Sequence, residues 1–143
     1  MTTTWPAGLI AELLGTHAGD ADVILTFDRE GVSSHPNHIS LLHGAREYVK
    51  GKEEGGRPRL YTLTSVGLAR KYISVLDAPM AFLQARRGKE EDALLFVNTA
   101  EQTRVARKTM TTAHKSQMRW FRWGWIALSR YMVVNDLKLE KLD

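Results

Sequence analysis

The sequence predicts an α+β fold, on three observations. "RLYTL" at residues 59–63 alternates Arg59, Tyr61 and Leu63 with Leu60 and Thr62, the period of a β-strand. Between His35 and Val49, the residues Ile39, Leu42, Ala45 and Val49 recur at helical spacing. From Asn98 to Val133 there is no proline, and Gly124 is the only glycine, so that stretch reads as one long helix or two abutting ones.

Taken in order, Thr4, Trp5 and Pro6 open a helix, with proline in its first turn. Leu9, Ile10, Leu13 and Leu14 form its apolar face, and Gly15 ends it. After the polar linker "THAGDAD", "VILTFDRE" fits either a buried strand or a short helix, and periodicity leaves both open. "GVSSHPNH" is a turn in which Gly31 breaks, Ser33 or Ser34 can cap, and Pro36 takes an early helical position. The helix that follows carries Ser40, His43 and Glu47 opposite its apolar face, with Arg46 at the border. Gly44 weakens it by about 1 kcal/mol relative to alanine. "KGKEEGG" is a charged loop, and Gly55–Gly56 suits a tight reversal between two paired strands. Pro58 lacks an N–H and suits an edge strand or a strand start. Thr64 is placed to cap a helix over residues 65–76, with Val66, Ala69, Ile73 and Leu76 on one side. "DAP" at 77–79 suggests a boundary, giving domains of 1–78 and 79–143. "MAFLQARR" is a short helix stopped by Gly88, and "KEED" is a solvated charge run.

Composition narrows the class. An apolar content of 43% allows a core, and 143 residues support one domain or a small domain with an extension. The absence of cysteine removes disulfides and thiolate chemistry. No apolar run approaches the roughly 20 residues of a membrane span, and "MTTTWPAGL" lacks the features of a signal peptide. A soluble cytoplasmic protein without a membrane partner is expected. Its net charge of +4 favours anionic partners.

Two clusters carry candidate chemistry. "HPNHISLLH" supplies His35 and His38 at a usable metal spacing, but His43 lies about 140° round the helix from His38. No cysteine or suitably spaced acid joins them, so capping and nucleic-acid contact explain these histidines and no metal is expected. In "KSQMRWFRWGWIALSRYM", residues 115–132, the residues Met118, Phe121, Trp125, Leu128 and Met132 repeat at heptad-like intervals. Packing against the domain or a second subunit, base stacking on Trp120 or Trp123, and membrane-surface binding are all open to it. Recognisable catalytic motifs are absent, and no enzymatic activity or cofactor is expected.

"GGRPRLYTLTSVGLARKY", residues 55–72, is similar to the wing of PadR-like and MarR-like transcriptional regulators. "REYVKGKEEGG" resembles the end of a recognition helix entering that wing, and "EGVSSHPNHIS" its turn and start. The likeness covers about residues 22–76. It implies a winged helix-turn-helix domain with a mainly α-helical extension. Asn37, Ser40 and His43 would then face base edges, and Arg46 would reach a base or a phosphate. Lys50, Lys52, Arg57 and Arg59 would meet phosphates. The implied protein is a sequence-specific, duplex-DNA-binding transcriptional regulator, a repressor, and the apolar stripe Met118, Phe121, Trp125, Leu128 and Met132 is expected to join it as a homodimer. The alternative is a winged-helix module that binds RNA polymerase or a replication or partition complex.

Overall fold

The structure, a computed structural model, describes residues 4–87 and 93–142. It divides into two compact units, Met1–Ser65 with Leu137–Asp143, and Val66–Asp136. Four strands form a mixed sheet in the order β1-β2-β4-β3, where β1 is Val23–Phe27, β2 Arg59–Leu63, β3 Ala93–Val97 and β4 Val134–Leu139.

In the first unit, helix α1 (Ala7–His17) precedes β1, and a distorted turn, α2 (Gly31–Ser34), leads into α3 (Pro36–Lys50) and then β2. The apolar run 23–27 thus resolves as a strand. Strands β1 and β2 are parallel, from Val23 opposite Arg59 to Phe27 opposite Leu63. Parallel neighbours need a long crossover, and α3 supplies it. The hairpin expected at Gly55–Gly56 therefore does not form. Residues 54–56 are a turn of 3-10 helix, and Arg59 instead donates its backbone N–H to the Asp22 carbonyl at 2.9 Å. Strand β2 also pairs antiparallel with the end of β4, Tyr61 opposite Leu139 and Leu63 opposite Leu137.

Ile24, Ala45, Tyr48, Val49 and Leu60 form the core of this unit, flanked by Ala11, Leu14 and Leu142. Gly44, which sequence reads as a weak point, is where α1 seats on α3. A Cβ there would lie 2.3 Å from the Ile10 Cβ, so only glycine allows the approach.

In the second unit, helix α4 is confined to Leu68–Lys71, and its N-cap is Gly67 rather than Thr64. Helix α5 runs Asp77–Arg87. The stop at Gly88 and the "KEED" run lie outside the described residues. The long helix expected over 98–133 is also broken. Helix α6 (Ala100–Ala113) starts with a reciprocal cap, Thr99 accepting from the Gln102 N–H at 3.2 Å and Gln102 from the Thr99 N–H at 2.9 Å. It gives way to a turn at Lys115–Gln117 and extended backbone at Met118 and Arg119. Helix α7 covers only Trp120–Leu128, and Ser129 is extended again. Met118 and Met132 lie outside α7, so the five residues expected to form a dimer seam do not share one helix. Buried Asp77 meets Arg130 Nε at 2.6 Å and Arg70 Nε at 2.6 Å, and Arg130 Nη2 reaches Asp136 at 2.8 Å.

Candidate active site

Strands β1 and β2 run parallel, so their carboxyl ends open on the same edge, where α/β arrangements place their ligands. The chain leaves β1 at Asp28 and leaves β2 at Thr64, and the two loops are tied together there. Asp28 Oδ1 accepts from the Glu30 N–H at 3.1 Å, the Gly31 N–H at 3.0 Å and the Ser65 hydroxyl at 2.6 Å. Asp28 Oδ2 accepts from the Ser65 N–H at 2.5 Å. Ser65 Oγ in turn accepts from the Val32 N–H at 2.8 Å. With its lone pairs so occupied, Asp28 is a fastening group.

The fastened loop is strained. Gly31, Val32 and Ser34 have φ of 55°, 63° and 56°. Glycine adopts this region freely, but a β-branched valine there is a genuine outlier. Left-handed non-glycine residues cost about 1–3 kcal/mol each and persist where surrounding bonds impose them. Here the Asp28–Ser65 knot imposes them.

The strain positions two imidazoles at the start of α3. His35 is its N-cap, and His35 Nδ1 accepts from the Asn37 N–H at 3.3 Å. His38 Nδ1 lies 3.0 Å from the Gly31 carbonyl, which can only accept, so Nδ1 is the protonated nitrogen. The His38 ring stacks on Phe27 at 4.0 Å, and the two imidazoles are 4.8 Å apart. In their neutral forms the rings therefore hold opposite tautomers. His35 presents an Nε2–H donor, and His38 an Nε2 lone pair. Beside them Asn37 Oδ1 is buried without a hydrogen-bond partner among the described residues.

An imidazole whose Nδ1–H is held by a carbonyl has the usual posture of a metal ligand. Among the described residues, however, no group of three or more His, Cys, Asp or Glu side chains stands where it would hold a metal ion. His38 Nε2 is the contact this loop offers to one.

The residues expected to read DNA are scattered. Asn37 and Ser40 are buried, and Ser40 Oγ donates to the Pro36 carbonyl at 2.9 Å. The reason is that α3 turns this side toward its own unit, so neither residue is free to face a base. His43 and Lys50 are exposed. Arg46 lies 3.5 Å from Glu140, Lys52 sits over the Tyr48 ring, and Arg57 Nε donates to the Lys52 carbonyl at 2.9 Å. Arg59 occupies the first position of β2 rather than a hairpin tip. Sequence reasoning passed over Asp28 and Ser65 and took the two histidines for caps or DNA contacts. The signal was the order itself: an apolar pentapeptide, an acid, a glycine-led turn, then H-P-N-H.

No protein-family model and no solved structure matches this chain. Curated relatives do. It is 48% identical to the N-acetylglucosaminyl-phosphatidylinositol de-N-acetylase of Arthroderma benhamiae, over 83% of this chain and 46% of the relative. It is 41% identical to the probable enzyme of that name from Schizosaccharomyces pombe, over 80% of this chain and 45% of the relative. It is 38% identical to the Bos taurus enzyme, over 93% and 51%. The chain thus spans about half the length of the curated relatives it matches. These likenesses overturn the assignment to PadR-like or MarR-like regulators, and with it the repressor function and the duplex-DNA partner. The expectation of a non-enzyme falls too, because the relatives are named as enzymes. So does the cytoplasmic location expected from the lack of a membrane-length apolar run and of a signal peptide, since the relatives are named for a phosphatidylinositol substrate. The wing-like motif misled because "RLYTL" is a strand of a parallel crossover, which uses the same alternation.

Proposed function

We propose that this chain contributes the proton-handling residues of an amide-hydrolysing site that removes the acetyl group from N-acetylglucosaminyl-phosphatidylinositol. The observation that carries the reading is the pair of imidazoles in opposite tautomers at the carboxyl end of β1. The names of the relatives supply the substrate. In the reaction, water adds its oxygen to the acetyl carbonyl carbon, the carbon–nitrogen bond breaks, acetate leaves, and the sugar nitrogen takes up a proton. One group must relieve the water of a proton, and another must stabilise or protonate what develops on the substrate. His38, with a free Nε2 lone pair, suits the first task. His35, with an Nε2–H donor on an exposed ring, suits the second as a hydrogen-bond donor to the carbonyl oxygen, and the proton that His38 takes from water passes on to the departing sugar nitrogen. The α3 N-terminus below them favours the negative charge that gathers on the carbonyl oxygen.

The test is acetate release from N-acetylglucosaminyl-phosphatidylinositol, measured with the polypeptide as it occurs in its cell. His35→Ala should lower kcat by about 10²–10⁴-fold, the usual range for a general acid or base, with the fold retained. His38→Ala should lower it at least as far. Full turnover in both variants would defeat the reading.

A further inference from the structure

Helix α7 turns an uninterrupted apolar stripe to solvent. Trp120, Trp123, Gly124, Ala127 and Leu128 fall at intervals of three, four, seven and eight from the first, and at about 100° per residue they cover an arc of about 140°. All five are exposed: Trp120 by 87%, Trp123 by 57% and Leu128 by 53%. An amphipathic helix of a folded unit normally turns such a stripe inward. Here the half-buried side is Phe121, Arg122 and Ile126, with Arg122 Nη1 donating to Gln117 Oε1 at 3.3 Å.

Along the chain, the charge that flanks the stripe has one sign. Between Glu101 and Asp136 the sequence contains no acidic residue. The same segment holds Arg104, Lys108, Lys115 and Arg119, all exposed and none in an ion pair among the described residues. Arg119 directly precedes Trp120, and no charged side chain interrupts the stripe. We infer that α7 and its basic approach bind the surface of an anionic phospholipid bilayer, the apolar stripe entering the headgroup boundary and the cations meeting lipid phosphates.

The observations favour this occupant over others. A second copy would set one acid-free cationic segment against another. A nucleic acid would use the indoles and cations but leave Ala127 and Leu128 without a role. At about 1.5 Å per residue, nine residues are too short to cross some 30 Å of hydrocarbon, so α7 lies in the interface. No helix among the described residues is long and apolar enough to span a membrane. Tryptophan is the side chain that favours this boundary, and flanking cations strengthen attachment to anionic lipid. The inference does not depend on the enzymatic reading.

Flotation of the full chain with vesicles of phosphatidylcholine containing about 30% phosphatidylserine, compared with phosphatidylcholine alone, tests it. These vesicles contain no phosphatidylinositol and no sugar, so the outcome is separate from substrate recognition and from acetate release. The chain should partition at least about tenfold more strongly onto the anionic vesicles, and about 0.5 M salt should remove that preference. Trp120→Ser with Trp123→Ser should lower binding about tenfold or more. Lys115→Glu with Arg119→Glu should abolish the anionic preference. The replaced side chains are exposed, and an unchanged far-ultraviolet dichroism spectrum verifies the fold. Absent or charge-indifferent binding would overturn the inference. So would a dimer dispersed by the tryptophan pair, which would give the stripe to a second copy, or a nucleic-acid complex weakened by it in the absence of lipid binding.

Discussion

Each unit is organised by one aspartate, and the two are satisfied by opposite means. Asp28 accepts from three backbone N–H groups and a hydroxyl, with no cation in the set. Asp77 is wholly buried between two guanidinium groups, Arg70 in a double contact at 2.6 and 3.1 Å, and Arg130 at 2.6 Å. Arg130 is itself fully buried and pairs through charge rather than through well-aligned hydrogen bonds. The hydrogen bonds it donates to Asp77 hold the Arg70 guanidinium above its ordinary value. Neutral donors fix direction. They hold each peptide plane of the loop after β1 without placing a cation beside His35 and His38. Charged donors fix composition, because neither sign tolerates burial without the other.

The comparison breaks hardest at Asp77. Asp77→Ala strands Arg130, and removing one partner of a buried pair costs about 3–5 kcal/mol. Urea unfolding should show a fall of that size in the second unit. Arg70, held charged from above, keeps its share of the stability below its unfolded value and loses it only as pH rises through its folded value. That share should therefore be unchanged between neutral and moderately alkaline pH. The next largest effect is at Asp28. Asp28→Asn keeps the shape but leaves one carbonyl oxygen to do the work of two, and two amide hydrogens face existing donors. A loss of about 1.5–3 kcal/mol is expected, together with a drop in acetate release that exceeds any change in the folded fraction. Gly31→Ala is the gentlest. It places a Cβ 3.1 Å from both His38 Cβ and Ile39 Cγ1 at a positive φ, for about 1–2 kcal/mol. Its signature should be a change in the imidazole proton resonances of His38 larger than in those of His43.

What was legible in the sequence was local. The periodicity of Ile39, Leu42, Ala45 and Val49 placed a helix over 35–49, and it occupies Pro36–Lys50. The alternation at 59–63 placed β2. What failed depended on distant partners. Gly55–Gly56 signals a reversal, but nothing in "RLYTL" states whether its neighbour is the preceding strand in a hairpin or β1 beyond a crossover helix. Gly44 costs an isolated helix stability, and only the approach of Ile10 explains it. The break after α6 has no proline or glycine to announce it. His114 and Lys115 merely lead into backbone that is extended at Met118 and Arg119. Strands β3 and β4 lie just outside the stretch 98–133, and segments of five and six residues such as "ALLFV" and "VNDLKL" are too short for periodicity to announce a strand. The site was visible only as H-P-N-H, whose tautomers depend on the Gly31 carbonyl and the Asn37 N–H, neither of which a side-chain pattern displays.

The left-handed run Gly31, Val32 and Ser34 carries a consequence for anyone who evolves or engineers this chain. Selection for thermal endurance acts on the whole population of folded molecules, and it will reward any change that lets Val32 or Ser34 relax into ordinary backbone. The same change releases the carbonyl that sets the proton on His38. Under the proposed function, durability and turnover are therefore rival selections at these residues, and a screen that scores survival alone will drift toward long-lived, idle protein.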